Sequence, residues 1–241
     1  MPEIQLKLEY GIRFNMKNQT RRKFIVDSSK IAGTAICAST LGHGLLFAQT
    51  PEDENIQFPE SNCGNNNKEG HKILIAYASD CGTTGEIAVA IGDALCEDGN
   101  TVETKWVINV KDINNYDAVI IGSAILYEKW MPEAREFVEN NQDILKNMPV
   151  AYFITCMALS SKEDAAMQQA IEYSDKLCAL VPQVKPVSAG RFAGVLDYSK
   201  ISFFKSILTK AAMARHKVKE GDYRDWNAIR SWAKSIDFHS V

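Results

Sequence analysis

Several common kinds of site are missing from this sequence. It has only four histidines, and none of its six cysteines forms a Cys-x-x-Cys pair. Neither a structural zinc site nor an iron–sulfur cluster is therefore expected. The net charge of -3 at pH 7 creates no strong field for a polyanion. We expect no metal site and no nucleic-acid partner.

Two familiar nucleotide-binding motifs are also absent from the turn that carries the strongest functional signal. That turn has neither the Gly-Lys-Ser/Thr ending of an ATP-binding loop nor the three spaced glycines of a dinucleotide-binding loop. Before it, Lys72–Ala78 is a short apolar run, which predicts a strand buried on both faces of a parallel sheet. After it, a helical pattern begins near Thr83.

The turn itself has the chemistry of a phosphate-binding loop. A helix that begins at Thr83 presents free amides and a positive dipole end to the turn. Gly82 allows close approach of the backbone, and neither Lys nor Arg occurs there. Neutral donors favour a flavin monophosphate over ATP, so the predicted cofactor is FMN. The alternative is an ordinary strand-to-helix turn with capping hydroxyls. The predicted phosphate-binding residues are Ser79, Asp80, Cys81, Gly82, Thr83 and Thr84.

The same turn resembles the phosphate loop of flavodoxins, Thr/Ser-x-Thr-Gly-x-Thr, with Cys81 in place of the middle threonine. In a flavodoxin-like fold the loop after the third strand meets the flavin ring. We expect Tyr127 to stack on that ring, with Trp130 as the second choice. The alternative is that both aromatics pack on the helix that starts at Pro132. The other predicted flavin contacts are Ser123, Ala124, Ile125, Thr155 and Cys156.

Strand and helix patterns alternate from residue 71 onward. This alternation predicts an α/β fold with a five-stranded parallel sheet and helices on both faces. The resemblance to flavodoxins implies the strand order 2-1-3-4-5. Such a sheet binds its ligand at the carboxyl ends of the strands, around the first and third. The predicted strands lie near 72–78, 101–107, 118–123, 150–155 and 184–190, and the predicted helices near 83–97, 132–146, 162–180 and 225–237.

The cysteines allow two interpretations. A thiol at a helix N-terminus tends toward a lowered pKa, which makes Cys81 a redox candidate with Cys156 as a partner. Alternatively, Cys81 replaces a threonine while its amide holds the phosphate. We expect Cys63 to be a free thiol, and Cys96 and Cys178 to be buried on helices.

The N-terminal part of the chain is predicted to be an export signal followed by a disordered linker. Thr20-Arg21-Arg22-Lys23 resembles the twin-arginine motif, and a mildly apolar segment follows it. We divide the chain into an extension with this signal (1–48), a disordered linker (49–70) and a flavin-binding domain (71–241). The expected location is the periplasm or another extracytoplasmic space. A basic patch followed by a buried helix is the alternative.

A late insertion, residues 199–217, distinguishes the domain from ordinary flavodoxins. Drawn as a helix, it has one apolar face flanked by Lys205 and Lys210. That face suits either a membrane surface or packing on the domain itself. Together with Tyr116–Ser123, Tyr127 and Asp225-Trp226, it resembles the flavodoxin-type, quinone-dependent protoporphyrinogen IX dehydrogenases. That resemblance covers about residues 71–237.

The resemblance implies a function. We expect an FMN-binding oxidoreductase that oxidises a flat, porphyrinogen-type substrate and passes electrons to quinone, with the flavin supplying the chemistry. No side chain is predicted to act as an acid–base catalyst. The alternative is a non-enzymatic FMN electron carrier that serves an extracytoplasmic redox protein. The near-neutral charge favours the enzyme, because carriers are usually strongly acidic around the flavin.

Overall fold

The protein is described from a computed structural model. The structure describes residues 56–64, 70–161, 163–200, 209–210, 213 and 218–239, all within the compact unit Thr50–Val241. The predicted export signal (1–48) and most of the insertion (199–217) lie outside the described residues.

A parallel sheet forms the centre of the domain. The strands are β1 (Ser61–Cys63), β2 (Lys72–Ala78), β3 (Thr101–Trp106), β4 (Ala118–Leu126), β5 (Lys129–Trp130), β6 (Val150–Thr155), β7 (Ser188–Phe192), β8 (Val195–Leu196) and β9 (Gly221–Asp222). The five parallel strands lie in the order β3-β2-β4-β6-β7, which is 2-1-3-4-5 along the chain and confirms the predicted fold class. Short antiparallel strands β1 and β5 join the sheet, and β8 pairs with β9 separately.

Helices cover both faces of the sheet, because side chains along each strand alternate between the two faces. The helices are α1 (Thr83–Glu97), α2 (Pro132–Leu145), α3 (Asp164–Leu180) and α4 (Trp226–Lys234). On one face Leu74 and Ile121 join a core with α2 and α3, and on the other Ile75 and Ile120 join a core with α1 and α4. Among the described residues, no helix has both the length and the apolar character needed to cross a membrane.

The last strand of the parallel sheet starts later than predicted. The apolar pattern suggested 184–190, whereas β7 runs over Ser188–Phe192. Pro186 accounts for the shift, because a proline has no amide hydrogen to donate to a strand ladder. The first amide to bond the neighbouring strand is that of Val187, which donates to the Val150 carbonyl at 2.8 Å.

Part of the predicted disordered linker is ordered. Residues Ser61–Cys63 form strand β1, which runs antiparallel to β3 along the edge of the sheet. Cys63 forms a disulfide with Cys96 near the end of α1, so the prediction of a free thiol at Cys63 was wrong. The linker was predicted from its composition alone, and that basis was insufficient. A three-residue strand and a disulfide across 33 positions leave no local pattern in the sequence.

Candidate cofactor site

The predicted phosphate loop connects β2 to α1 at the carboxyl edge of the sheet. Its turn is closed by the Gly82 amide, which donates to the Ser79 hydroxyl at 2.9 Å. Gly82 has a φ of 83°, a left-handed conformation that L side chains rarely adopt. Ser79 therefore shapes the loop through its side chain, and Gly82 permits the turn.

Helix α1 begins with an open N-terminus. Within the described residues, no side chain caps it. The Gly82 carbonyl accepts from the amides of Gly85 and Glu86 at 2.9 and 3.4 Å. The amides of Thr83 and Thr84 thus face the loop at the positive end of the helix dipole, as an anion requires. This donor set fits a phosphate group.

Hydroxyl groups surround this helix end. The Thr84 hydroxyl shares a hydrogen bond of 2.8 Å with the hydroxyl of Thr155, at the end of β6. Both side chains are buried, so the bond ties the phosphate loop to the neighbouring loop of the site. The sequence predicted both residues as flavin contacts, and the structure brings them together. Asp80, in the phosphate loop, is half-buried.

Both loop cysteines are free thiols. Cys81 is half-buried, with its sulfur 3.6 Å from the Thr83 hydroxyl oxygen. Cys156 is buried, and burial raises the pKa of its thiol. A raised pKa lowers the thiolate fraction, which makes Cys156 a poor partner for redox exchange. The arrangement favours the interpretation in which Cys81 replaces a threonine.

Tyr127 lies at the tip of a hairpin that follows β4. Strands β4 and β5 pair Leu126 with Lys129, so Tyr127 and Glu128 alone form the turn. Both have positive φ, 51° and 61°, as a two-residue hairpin turn requires. The Tyr127 side chain is 73% exposed. It is available to a flat ligand at the carboxyl edge of the sheet.

Trp130 does not share that surface, and its prediction as a ring contact was wrong. Its side chain is 3% exposed and packs edge-on against Tyr152, with ring centroids 5.5 Å apart. The indole nitrogen donates to the Tyr173 carbonyl of α3 at 2.9 Å. Trp130 lies in one core cluster with Ala134 and Phe137 of the helix that starts at Pro132, in line with the alternative given for it.

Ser123 is likewise internal. It is fully buried. Its hydroxyl accepts a hydrogen bond from the Met131 amide at 2.9 Å and donates one to the Ala124 carbonyl at 2.7 Å. Its side chain therefore holds the start of α2 and is not available to a flavin. Ala124 and Ile125 follow it on β4, where both are half-buried and paired with neighbouring strands.

Two groups near the loop were missed from the sequence. The Gln57 carbonyl lies against Gly82, and a Cβ at Gly82 would be 2.0 Å from it. The Arg224 side chain, 8% exposed, donates to Glu86 in the first turn of α1 at 2.6 Å and to Asp222 at 2.6 Å. Hydrogen bonds from Arg224 lower the pKa of Asp222. The contacts of Gln57 with Gly82 and of Arg224 with Glu86 have no local sequence signal, because the partners are far apart in the chain.

The fold and the loop define a class of protein: doubly wound α/β domains that hold a phosphate-bearing cofactor at the carboxyl edge of a parallel sheet. The chain belongs to the flavodoxin domain family, whose family model matches residues 74–222, more than half of its length. Membership confirms the predicted resemblance and, at the level of the family, the prediction of FMN as the cofactor.

Two relatives share sequence with most of the domain. Protoporphyrinogen IX dehydrogenase (quinone) of Escherichia coli strain K12 is 27% identical over 172 residues, covering 68% of this chain and 94% of that protein. The protein of the same name from Leishmania major is 28% identical over 178 residues, covering 68% and 74%. Among solved structures, oxidised Flavodoxin 2 from Bacillus cereus is 21% identical, covers 60% of this chain and 99% of that chain, and has a TM-score of 0.41.

Proposed function

We propose that this protein is an FMN-dependent oxidoreductase that oxidises a porphyrinogen-type substrate and reduces a quinone. The observation that supports FMN as the cofactor is the open N-terminus of α1. Neutral donors line it, in a loop without Lys or Arg. The names of the relatives from E. coli and Leishmania major support the substrate and the acceptor.

Different residues of the site would contact the phosphate and the ring of the flavin. The amides of Thr83 and Thr84 and the hydroxyl of Thr83 would bind the phosphate, and the bond between Thr84 and Thr155 keeps this end of α1 in place. Tyr127 offers an exposed aromatic face to a flat ring. When bound, FMN supplies the transfer of electrons from substrate to acceptor.

The proposal is tested by loading the full chain with FMN and mixing it with a porphyrinogen and a quinone. We expect one FMN per chain and the appearance of porphyrin fluorescence that depends on the quinone. Thr83→Val should weaken FMN binding about tenfold or more, because a hydroxyl donor to an anion is lost, whereas Thr83→Ser should retain the affinity.

Each failure of this experiment has a separate meaning. A folded chain that takes up no FMN would contradict the assignment of the loop. An FMN-loaded chain that forms no porphyrin but exchanges electrons with a redox protein would be a non-enzymatic electron carrier. Equal affinities for the wild type and Thr83→Val would remove the Thr83 hydroxyl from the phosphate site.

We propose further that the protein functions outside the cytoplasm. The disulfide between Cys63 and Cys96 supports this location, because structural disulfides persist in oxidising compartments. Arg21 and Arg22, in the twin-arginine-like motif, lie outside the described residues. Replacing both with lysine is expected to retain the precursor in the cytoplasm, measured by cell fractionation. Unchanged export of that variant would show that the arginine pair has no targeting role.

A further inference from the structure

We infer that the segment Ile56–Cys63, which precedes the first parallel strand, is a clamp that positions the phosphate loop for FMN. We call it the N-terminal clamp. The inference rests on the proposed FMN role of that loop. Its residues act through the loop backbone, so they are positioning residues.

The clamp touches the phosphate loop at Gly82. A Cβ added to Gly82 would lie 2.0 Å from the Gln57 carbonyl oxygen and 4.0 Å from a methyl carbon of Ile56. The backbone of the clamp is therefore in direct contact with the residue that closes the turn and precedes the first helical amides. A shift of Gln57 would remove the support on that side of the loop.

A second contact joins the clamp to the first turn of α1 through Tyr77. The Tyr77 hydroxyl donates to the Pro59 carbonyl at 2.8 Å. Burial, with a smaller contribution from the charge on Glu60, raises the pKa of Tyr77, so the hydroxyl stays a neutral donor. The Tyr77 ring also packs against Gly85, where a Cβ would lie 2.6 Å from the ring. Tyr77 therefore couples the clamp to the backbone of the helix end.

The clamp is itself held at the carboxyl end of β3. The Phe58 ring stacks on Trp106, with centroids 4.1 Å apart and the planes 7° from parallel. The Glu60 carboxylate accepts from the Trp106 amide at 3.1 Å and from the Asn109 side chain at 2.8 Å. These contacts fix the clamp beside the loop.

A covalent bond secures the far end of the clamp. Ser61–Cys63 pairs with β3, and the disulfide between Cys63 and Cys96 attaches the clamp near the last turn of α1. The helix that carries the phosphate donors is thus tied to the clamp at both ends. Because a preorganised set of donors loses less entropy on binding, the clamp should increase affinity for the phosphate group.

Flavin binding can separate this role from a general effect on stability. Riboflavin has the flavin ring and ribityl chain but no phosphate. If the clamp acts through the phosphate loop, its loss should lower the affinity for FMN and leave the affinity for riboflavin unchanged. In the full chain, Phe58→Ala and the double variant Cys63→Ser/Cys96→Ser are expected to weaken FMN binding about tenfold, with riboflavin binding changed less than about twofold.

Two controls accompany these variants. Trp232→Ala removes a half-buried aromatic that, like Phe58, packs on the core around α1, but it lies beside β7 and contacts Phe192. It should leave the preference for FMN over riboflavin unchanged. Phe58→Tyr keeps the stacking surface and should restore FMN affinity. The phosphorus resonance of bound FMN gives a second readout, expected to move in Phe58→Ala and not in Trp232→Ala.

The outcomes distinguish the clamp from the proposed function. A wild-type chain that binds no FMN would contradict the proposed function. A different result would overturn the clamp alone. In that case the wild type binds FMN, and both clamp variants keep the preference for FMN over riboflavin and the phosphorus resonance of the wild type. If Phe58→Ala does not fold, as judged by circular dichroism, the double cysteine variant carries the test.

Discussion

Gly122→Ala is expected to lower the free energy of unfolding by about 3 kcal/mol, a large loss for a substitution that adds one carbon atom. Gly122 on β4 is paired in register with Phe153 on β6. A Cβ at Gly122 would lie 2.0 Å from the Phe153 ring. The ring is fully buried and has Phe192 and Trp232 as neighbours, so it has little room to move.

The measurement is equilibrium unfolding in urea, followed by circular dichroism. Gly194→Ala is the matched control, because among the residues that the structure describes its new Cβ would meet only the Met157 sulfur at 3.8 Å, an ordinary contact. We expect that control to change stability by less than about 0.5 kcal/mol. The double variant Gly122→Ala/Phe153→Leu should cost less than the sum of the single changes, by about 1 kcal/mol. Strict additivity would show that the ring is not the obstacle.

Trp130→Ala is expected to cost about 3–5 kcal/mol of stability, because a buried indole is replaced by a cavity. The variant also leaves the Tyr173 carbonyl without the donor that now lies at 2.9 Å. Tyr127→Ala, three positions earlier, should change stability by less than about 0.5 kcal/mol, since that side chain is 73% exposed. Urea unfolding of both variants measures the contrast.

Substitutions at the same two positions should differ in the opposite sense in their effect on the flavin. Tyr127→Ala is expected to alter the visible absorption of bound FMN while the chain stays folded, because the proposed aromatic contact to the ring would be lost. Trp130→Phe, which keeps most of the apolar volume, is expected to leave that spectrum unchanged. A flavin spectrum that responds to Trp130→Phe and not to Tyr127→Ala would return the stacking role to Trp130.

Much of the fold could be predicted from the sequence because its signals are local. The apolar run 72–78 and the helical spacing after Thr83 predicted β2 and α1 with the bounds that the structure shows. Alternation of the two patterns then predicted a parallel sheet, since parallel strands need crossovers, and the resemblance to flavodoxins supplied its strand order. The phosphate loop was found for the same reason: its hydroxyls and Gly82 are neighbours in the chain.

The ring side of the site was predicted less well, because composition does not show which way a side chain points. Tyr127 and Trp130 are both aromatic and three positions apart, yet a two-residue turn with positive φ leaves one exposed and buries the other. Ser123 has the polarity of a ligand contact but bonds the start of α2. The direction of each side chain depends on the register of β4 with β5 and β6.

The sequence alone was sufficient for the α/β class and for the bounds of the turn between β2 and α1, because each depends on residues that are close together in the chain. The strand order was predicted from the resemblance to flavodoxins, because it depends on pairing between distant segments. The disulfide between Cys63 and Cys96, the contact of Gln57 with Gly82, and the burial of Trp130 became visible only in the folded domain. Each of these brings together groups from separate elements, and their meeting depends on how the edge strands and helices pack around the sheet.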